Sequence, residues 1–338
     1  MKDQKELQKT IGGFFQLQLS NGEEYYPSLI KLNTTRNALE YILKVKGYTK
    51  IYIPYFTCDT ILEPMLKLAV PYEFYTLDKQ LDPIVDFEIG YAECFLYTNY
   101  FGIKQHTVEK LSKNVKNLIV DNSQAFFSKP IDKIDTIYSC RKFFGVSDGA
   151  YLQLNSSLRL NIETDISFDR LLHLIKSIDV GSENSYGDFV ENDKSLENND
   201  IKKMSVLTQK ILSGINYQNS EKIRKQNYNY LQENLALINE LDIEIPLDAV
   251  PMVYPLLISN DKVKTKLIAN KIFVPTYWPN VFKWTNEQMF ENHLAKHLVP
   301  LPIDHRYTIK DMERIVCVLK DIIHETSILI LFTSLFIF

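Results

Sequence analysis

The sequence predicts an α/β protein in which helices cover both faces of a mostly parallel sheet, followed by a smaller α/β domain. From about residue 30 to 155, short apolar strands alternate with segments whose apolar residues recur at helical spacing. Apolar strands of this kind are typical of parallel sheets that are buried on both faces. After a long helical segment, a second and shorter alternation of strand and helix indicates the smaller domain.

The first half predicts nine elements in order. The first helix has Ala38, Leu39 and Ile42 on one face and ends at Gly47, which is a helix-stop signal. A strand, a helix and a strand follow in KIYIPYF, CDTILEPMLKLA and PYEFYTL. The next strand, ECFLYTNYFG, runs into Gly102 and precedes a helix in HTVEKLSKN. Three more strands are predicted in VKNLIVDNS, IDTIYSC and GAYLQLN.

The second half begins with a polar and acidic stretch at 183–203, which predicts a flexible connection or a surface loop. A long helical stretch over 205–241, with one glycine and no proline, comes next. A strand in VPMVYPLLIS, a helix in KVKTKLIANKI and a closing helix in TIKDMERIVCVLKDII follow. The uncharged run at 327–338 is shorter than the roughly 20 residues of a membrane-spanning helix. It is interpreted as a last helix turn, a strand packed on the core or an altered terminus, with peripheral membrane contact as the alternative.

Composition excludes several classes of function. The formal net charge is −4 and no block of lysine and arginine stands out, so the electrostatic footprint of a nucleic-acid-binding protein is missing. The four cysteines are scattered without a zinc spacing, which fits a reducing cytoplasm. His293 and His297 lie four residues apart without a third ligand, so no metal site is predicted. The start of the chain lacks the apolar core of a signal peptide, and a cytoplasmic location is expected.

Three segments carry side chains suited to chemistry. Asp121 lies at the end of one predicted strand and Lys142 follows another, and the carboxyl ends of parallel strands form the crevice of such sheets. The threonines of NTTRNAL begin a helix, whose free N–H groups can bind a phosphate. Apolar and aromatic neighbours predict that Lys142 is enclosed, and desolvation makes an enclosed amine nucleophilic. An anchor for phosphate, an acid and an amine together suit pyridoxal phosphate, although each alone is also an ordinary turn, cap or surface residue.

In order and spacing, these segments resemble the DegT/DnrJ/EryC1/StrS family of sugar aminotransferases, which have the aspartate-aminotransferase-like fold (fold type I). The resemblance covers about residues 29 to 324 and rests on TTRNALEYIL, LYTNYFG, LIVDNSQA, YSCRKFFGVSDGAYL and LVPLPIDHRYTIKDMERIVCVLKDI. It implies a large domain over 1–215 with an N-terminal arm, a sheet of the seven-stranded type and a pyridoxal phosphate site. A small C-terminal domain over 216–338 is also implied.

The resemblance also implies roles for particular residues. Lys142 would hold pyridoxal phosphate covalently and move the proton during the reaction. Asp121 would keep the pyridine nitrogen protonated, and Gln124 would lie beside the 3-hydroxyl of the ring. The further cofactor-binding residues implied are Thr34, Thr35, Arg36 and Ser139 for the phosphate and Cys58 for the face of the ring.

The implied reaction moves an amino group from an amino acid, typically glutamate, to a nucleotide-linked keto-sugar for surface polysaccharide or deoxyaminosugar synthesis. A homodimer is implied, with no nucleic acid and no membrane span. Thr35 and Arg36 replace a glycine and a threonine of the family, and Ile137 stands where its phosphate serine usually lies. A non-catalytic partner or regulatory protein with a weakened cofactor site is therefore the alternative. A sugar dehydratase is disfavoured, because such relatives carry histidine in place of the lysine.

Overall fold

An eight-stranded sheet forms the centre of the protein in the computed structural model, which describes the backbone of residues 11–335 and the side chains of 11–325. Its order is β1-β8-β7-β6-β5-β2-β3-β4. The strands are β1 (Ile30–Leu32), β2 (Lys50–Pro54), β3 (Tyr72–Leu77), β4 (Pro83–Ile84), β5 (Glu93–Thr98), β6 (Leu118–Asn122), β7 (Asp135–Ser139) and β8 (Ala150–Gln153). The pairs from β7 through β6, β5 and β2 to β3 are parallel, whereas β8 and β4 are antiparallel to their neighbours. The mostly parallel sheet predicted from the strand pattern is therefore present.

Strand β5 shows why the central residues of the strands are mostly apolar. Cys94 and Leu96 point to the face covered by helices α1 (Thr35–Lys46) and α2 (Leu62–Leu68). Phe95 and Tyr97 point to the other face, where they share a core with helix α3 (Gln105–Asn114). Because successive side chains of a strand alternate between the two faces, a strand covered on both faces is apolar on both, and its polar residues lie at its ends.

Helix α1 begins and ends where the sequence predicts. The Thr34 hydroxyl accepts a hydrogen bond from the backbone N–H of Asn37 at 3.1 Å, which caps the first turn. Gly47 ends the helix in the left-handed conformation, at a φ of 65°, and its N–H bonds to the Leu43 carbonyl. The other strands and helices predicted before residue 155 are also present, with α2 preceded by a 3₁₀ turn over Asp59–Ile61.

The prediction of a flexible connection over 183–203 is wrong. Helices α4 (Leu172–Asn184) and α5 (Tyr186–Ser195) occupy most of this stretch and pack on each other. Polar contacts replace an apolar face here: Lys176 pairs with Asp188 at 2.7 Å, and the buried Asn192 side chain donates to the Ser147 carbonyl at 3.2 Å. The sequence therefore lacked the apolar periodicity on which the helix prediction depends.

The helical stretch over 205–241 is divided into α6 (Val206–Ser213) and α7 (Tyr217–Leu235). The break lies where the chain segment around Ser20 crosses the end of α6. A Cβ atom on Gly214 would lie 3.1 Å from the Ser20 carbonyl oxygen, so any larger residue would push the two segments apart by a few tenths of an ångström. Asn216 then caps α7 by accepting from the N–H of Asn219 at 3.0 Å.

The second half contains a two-stranded antiparallel sheet of β9 (Val253–Leu257) and β10 (Leu298–Pro302), with helices α8 (Lys262–Ala269), α9 (Val281–Trp284), α10 (Phe290–His297) and α11 (Ile309–Leu335). It has its own core, which includes Leu256, Leu301 and Leu319. Leu257 and Leu294, in contrast, pack into the core under the large sheet. The division at residues 215 and 216 stays a prediction.

The last helix, α11, includes residues 327–335 of the apolar C-terminal run. The packing predicted for the side chains of that run, and the conformation of residues 336–338, lie outside the described residues. Within the part of the chain that is described, no helix combines the length and the apolar character needed to cross a bilayer.

Candidate active site

A cavity of about 270 Å³ opens at the carboxyl ends of β2, β5, β6 and β7. This is the edge of a parallel sheet at which ligands bind in α/β proteins. All eight residues that the sequence singled out line this one cavity: Thr34, Thr35, Arg36, Cys58, Asp121, Gln124, Ser139 and Lys142. Their individual roles stay predictions.

Lys142 lies in a tight turn that follows β7. The backbone N–H groups of Phe143 and Phe144 both bond to the Cys140 carbonyl, at 3.1 and 3.0 Å, and both phenyl rings are buried. The expectation that Lys142 is enclosed is wrong, because the two phenylalanines take the buried positions of the turn and the lysine side chain is exposed at the cavity. Its Nζ lies 6.0 Å from the centre of the Trp278 ring. Access to a ligand, rather than burial, is what this position provides.

Asp121, near the end of β6, supplies the acid of the cavity. Its Oδ1 accepts a hydrogen bond from the backbone N–H of Ser123 at 2.8 Å. Burial raises the pKa of Asp121, and the hydrogen bonds from Ser123 and the positive charge of Lys142 oppose that rise. A ligand with a protonated ring nitrogen next to Asp121 would favour the ionised carboxylate.

Only one of the two polar atoms of the Gln124 side-chain amide has a hydrogen-bond partner. Its Oε1 accepts from the backbone N–H of Phe101 at 2.8 Å, whereas its buried Nε2 has no partner. The buried hydroxyl of Thr98, also in the cavity wall, has none either. Buried polar groups are nearly always paired, so these two indicate where a polar ligand belongs. A free amide donor here fits the ring hydroxyl of pyridoxal phosphate.

The first turn of α1 forms the part of the cavity suited to an anion. The N–H groups of Thr35 and Arg36 belong to this turn and have no carbonyl partner within the helix. Both residues line the cavity together with Ser139. Thr35 is the first residue of α1, so its backbone is helical and does not need the freedom of a glycine. The side chain of Arg36 is held by Glu63 at 2.8 Å.

The cavity contains further side chains that the sequence did not assign to it. Trp278 comes from the aromatic segment 274–284, VPTYWPNVFKW. Asn280 of this segment donates to the Thr57 carbonyl at 2.8 Å, which attaches the segment to the loop after β2. Phe189 and Asp193 come from α5, and Asp193 pairs with Arg141 at 3.0 Å. They were missed because the sequence predicted no helix there.

Other candidates lie outside this cavity. Asp148, part of the Asp-Gly pair that follows the lysine, is fully buried and accepts hydrogen bonds from Ser205 and Thr208 at the start of α6. Arg306 forms an ion pair with Asp304 at 2.7 Å. The ring centres of His293 and His297 on α10 lie 4.7 Å apart with the rings tilted by 43°, and no cluster of three possible metal ligands occurs among the described residues.

No protein-family model matches the chain, and no curated protein matches it significantly. Several solved structures do match the chain. A DegT DnrJ EryC1 StrS aminotransferase from Brucella abortus aligns over 87% of this chain and 85% of its own, with a TM-score of 0.58 and 13% identity. DesV from S. venezuelae, in complex with a ketimine intermediate, aligns over 86% and 84%, with a TM-score of 0.61 and 13% identity. NtdA from Bacillus subtilis, with bound cofactor PMP, aligns over 88% and 73%, with a TM-score of 0.62 and 15% identity.

The predicted fold class is thereby confirmed. The chain is an α/β protein with the fold of pyridoxal-phosphate-dependent transferases of fold type I. Its structural neighbours include the DegT DnrJ EryC1 StrS aminotransferase named above and the sugar aminotransferase CalS13 from Micromonospora echinospora, the class of protein that the sequence segments resemble.

Proposed function

We propose that this protein is a pyridoxal-phosphate-dependent aminotransferase that moves an amino group from an amino acid, with glutamate as the expected donor, to a nucleotide-linked keto-sugar. One observation carries the proposal. An accessible lysine, an acid, an unpaired amide donor and a helix N-terminus line a single cavity at the carboxyl ends of the strands. The cofactor and the intermediate bound in the similarly folded NtdA and DesV support the choice of cofactor.

When bound, pyridoxal phosphate supplies an aldehyde that reacts with amines and a ring that accepts the electron pair released at the neighbouring carbon. Lys142 would hold the cofactor through Nζ and, once displaced by the incoming amine, would use the same nitrogen to take the proton from the α carbon of the amino acid. Its position in a turn directly before two buried phenylalanines, Phe143 and Phe144, holds the backbone in place while leaving the amine accessible.

The other residues of the site would hold and orient the cofactor. Asp121 would keep a proton on the ring nitrogen through its negative charge. The free Nε2 of Gln124 would donate to the ring hydroxyl oxygen. The N–H groups of Thr35 and Arg36, with the Ser139 hydroxyl, would bind the phosphate, since a helix N-terminus favours anions.

The acceptor sugar would enter past Trp278 and Phe189, which line the cavity and present aromatic surface to it. Aromatic faces of this kind stack on sugar rings and nucleotide bases. Assembly as a homodimer, a cytoplasmic location and a place in surface polysaccharide or deoxyaminosugar synthesis belong to the same proposal.

Covalent capture tests the proposal directly. The purified protein is incubated with pyridoxal phosphate, reduced with borohydride, digested and analysed by mass spectrometry. We expect the mass of the reduced cofactor on the peptide that contains Lys142, and its absence in Lys142→Ala. Lys129→Ala, which removes an exposed lysine outside the cavity, is the matched control and should keep the adduct.

A second assay follows the reaction. The protein is given glutamate and a panel of nucleotide keto-sugars, and 2-oxoglutarate is measured. No adduct on Lys142 at saturating cofactor would refute the enzymatic proposal and favour a non-catalytic protein with the same fold.

A further inference from the structure

The phosphate end of the proposed site is formed by neutral donors and one arginine that already has a partner. The N–H groups of Thr35 and Arg36 and the Ser139 hydroxyl are neutral donors. The guanidinium of Arg36 lines the same cavity but is paired with Glu63 at 2.8 Å, and both side chains are largely buried. A phosphate ester carries close to two negative charges at neutral pH, and a cation beside it offsets part of the cost of taking that charge out of water.

Arg141 is placed to supply that cation. It lies two residues after Ser139, lines the cavity, and leaves 19% of its side chain exposed. Its Nη1 bonds to Oδ1 of Asp193 at 3.0 Å, and the Asp193 side chain is 50% exposed. A half-exposed ion pair contributes little, so Arg141 can exchange this partner for a stronger one. The guanidinium geometry also matches a phosphate group through two parallel hydrogen bonds.

Arg141 lines the same cavity as the first turn of α1, and its partner is connected to that turn. Asp193 lies on α5, and the chain that follows α5 is bonded to the start of α1. The Asn37 side chain donates to the Asn199 carbonyl at 2.9 Å, and the Asn33 side chain donates to the Asp200 carbonyl at 3.0 Å. These contacts hold the Asp193 side of the cavity against the helix N-terminus that would bind the phosphate.

We propose that Arg141 is a phosphate-binding residue of the cofactor site, and that Asp193 holds its guanidinium until the cofactor enters. Arg141 then leaves the carboxylate of Asp193 and bonds to the phosphate beside the N-terminus of α1. This inference rests on the proposed function. It explains how the chain can bind the cofactor with Ile137 where the resemblance expects a phosphate serine.

The test compares two ligands that differ only in the phosphate. Dissociation constants for pyridoxal phosphate and for pyridoxal are measured by absorbance titration of wild type, Arg141→Gln and Arg141→Lys. We expect Arg141→Gln to bind pyridoxal phosphate roughly 10- to 100-fold more weakly, the range for a lost charged hydrogen bond, and to bind pyridoxal unchanged. The affinity of Arg141→Lys for pyridoxal phosphate should lie between those of the wild type and Arg141→Gln. Arg159→Gln, which changes an exposed arginine outside the cavity, is the matched control.

Inorganic phosphate provides a readout that needs neither the cofactor nor turnover. It should raise the unfolding temperature of the wild-type protein, and this response should be lost in Arg141→Gln. Asp193→Asn should strengthen the response or leave it unchanged, because it frees Arg141. Unfolding temperatures without phosphate show whether each variant is folded.

Three results would overturn the inference. Equal weakening for pyridoxal phosphate and pyridoxal would place Arg141 at the ring or in the fold. Unchanged cofactor affinity with weaker glutamate binding would make it a receptor for the donor's carboxylate instead. A phosphate response that survives in Arg141→Gln would exclude the contact. Failure of the proposed function is distinct from these outcomes, since it appears as a missing adduct on Lys142 in the wild-type protein.

Discussion

Removing the carboxylate of Asp148 should destabilise the protein and loosen the turn that carries Lys142. Asp148 is fully buried, six residues after the lysine. It accepts hydrogen bonds from the Ser205 N–H at 3.0 Å, from the Ser205 hydroxyl at 2.9 Å and from the Thr208 hydroxyl. Because the Ser205 hydroxyl donates to Asp148, the Ser167 hydroxyl must be the donor in its 2.7 Å contact with Ser205. The carboxylate thus organises the start of α6.

The magnitude follows from these contacts. A hydrogen bond to a charged group contributes about 1.5–3 kcal/mol, and a buried donor left unpaired costs about 1–3 kcal/mol. In Asp148→Ala the two hydroxyls can rotate towards other acceptors, but the Ser205 N–H cannot. Relief from burying a charge offsets part of the loss. We therefore expect the free energy of unfolding to fall by about 3 kcal/mol in Asp148→Ala, and by about half as much in Asp148→Asn, which keeps one acceptor oxygen.

Urea unfolding of the cofactor-free protein, followed by circular dichroism, measures this change. Asp169→Ala, which removes an exposed carboxylate nearby, should shift the free energy of unfolding by less than about 0.5 kcal/mol. Covalent capture of pyridoxal phosphate on Lys142 should also weaken in Asp148→Ala. A fall in stability below about 1 kcal/mol for Asp148→Ala would refute the argument, because the three hydrogen bonds would then contribute no more than an ordinary surface contact.

Three further predictions concern ionisable side chains that are wholly or partly buried. Because burial raises the native pKa of Asp121, the unfolded chain releases this proton first as pH rises from about 4, so the stability of the cofactor-free protein should fall over that window. Asp121→Asn should remove this fall in unfolding experiments from pH 4 to 7, and parallel curves would contradict the prediction. Burial lowers the pKa of Lys264 to about 8, so stability should rise between about pH 8 and 10, where the unfolded chain still holds the proton. Competitive amine labelling should find half-maximal reactivity of Lys264 near pH 8, and titration together with surface lysines would show the prediction to be wrong. Arg224, 1% exposed, donates to the Met252 carbonyl at 2.9 Å and lies 4.6 Å from the centre of the Phe143 ring. Arg224→Met should lower stability by about 2–4 kcal/mol and weaken cofactor capture at Lys142, measured by urea unfolding and borohydride trapping, and unchanged capture would separate Arg224 from the site.

Nine elements between residues 35 and 153 were predictable because each carries its own local signal, whereas the short edge strands β1 and β4 were not predicted. Gly47 ends α1 at the predicted residue, and the apolar strand β5 lies between two covered faces as its composition required. The structure of residues 183–203 was not predictable, because helix α5 is held by polar contacts such as that of Asn192 with Ser147. Apolar periodicity, the strongest local signal for a helix, is weak where polar groups provide the packing.

The candidate site likewise contains residues that the sequence could predict and contacts that it could not. Asp121, Gln124 and Lys142 could be chosen from the sequence because they lie within 22 residues of one another and follow two adjacent strands. The contacts of Arg141 with Asp193 and of Thr57 with Asn280 join residues 52 and 223 positions apart, so no local pattern could show them.

By itself, the order of strands, helices and strand-end side chains determined the fold class and the set of residues that meet at the sheet edge. Only the tertiary structure decided that Lys142 is open to the cavity while Phe143 and Phe144 fill the core. It also decided which charges surround the lysine. The physical reason is that hydrogen bonding and side-chain alternation act over a few residues, whereas burial and ion pairing depend on which distant segments the packed core brings together.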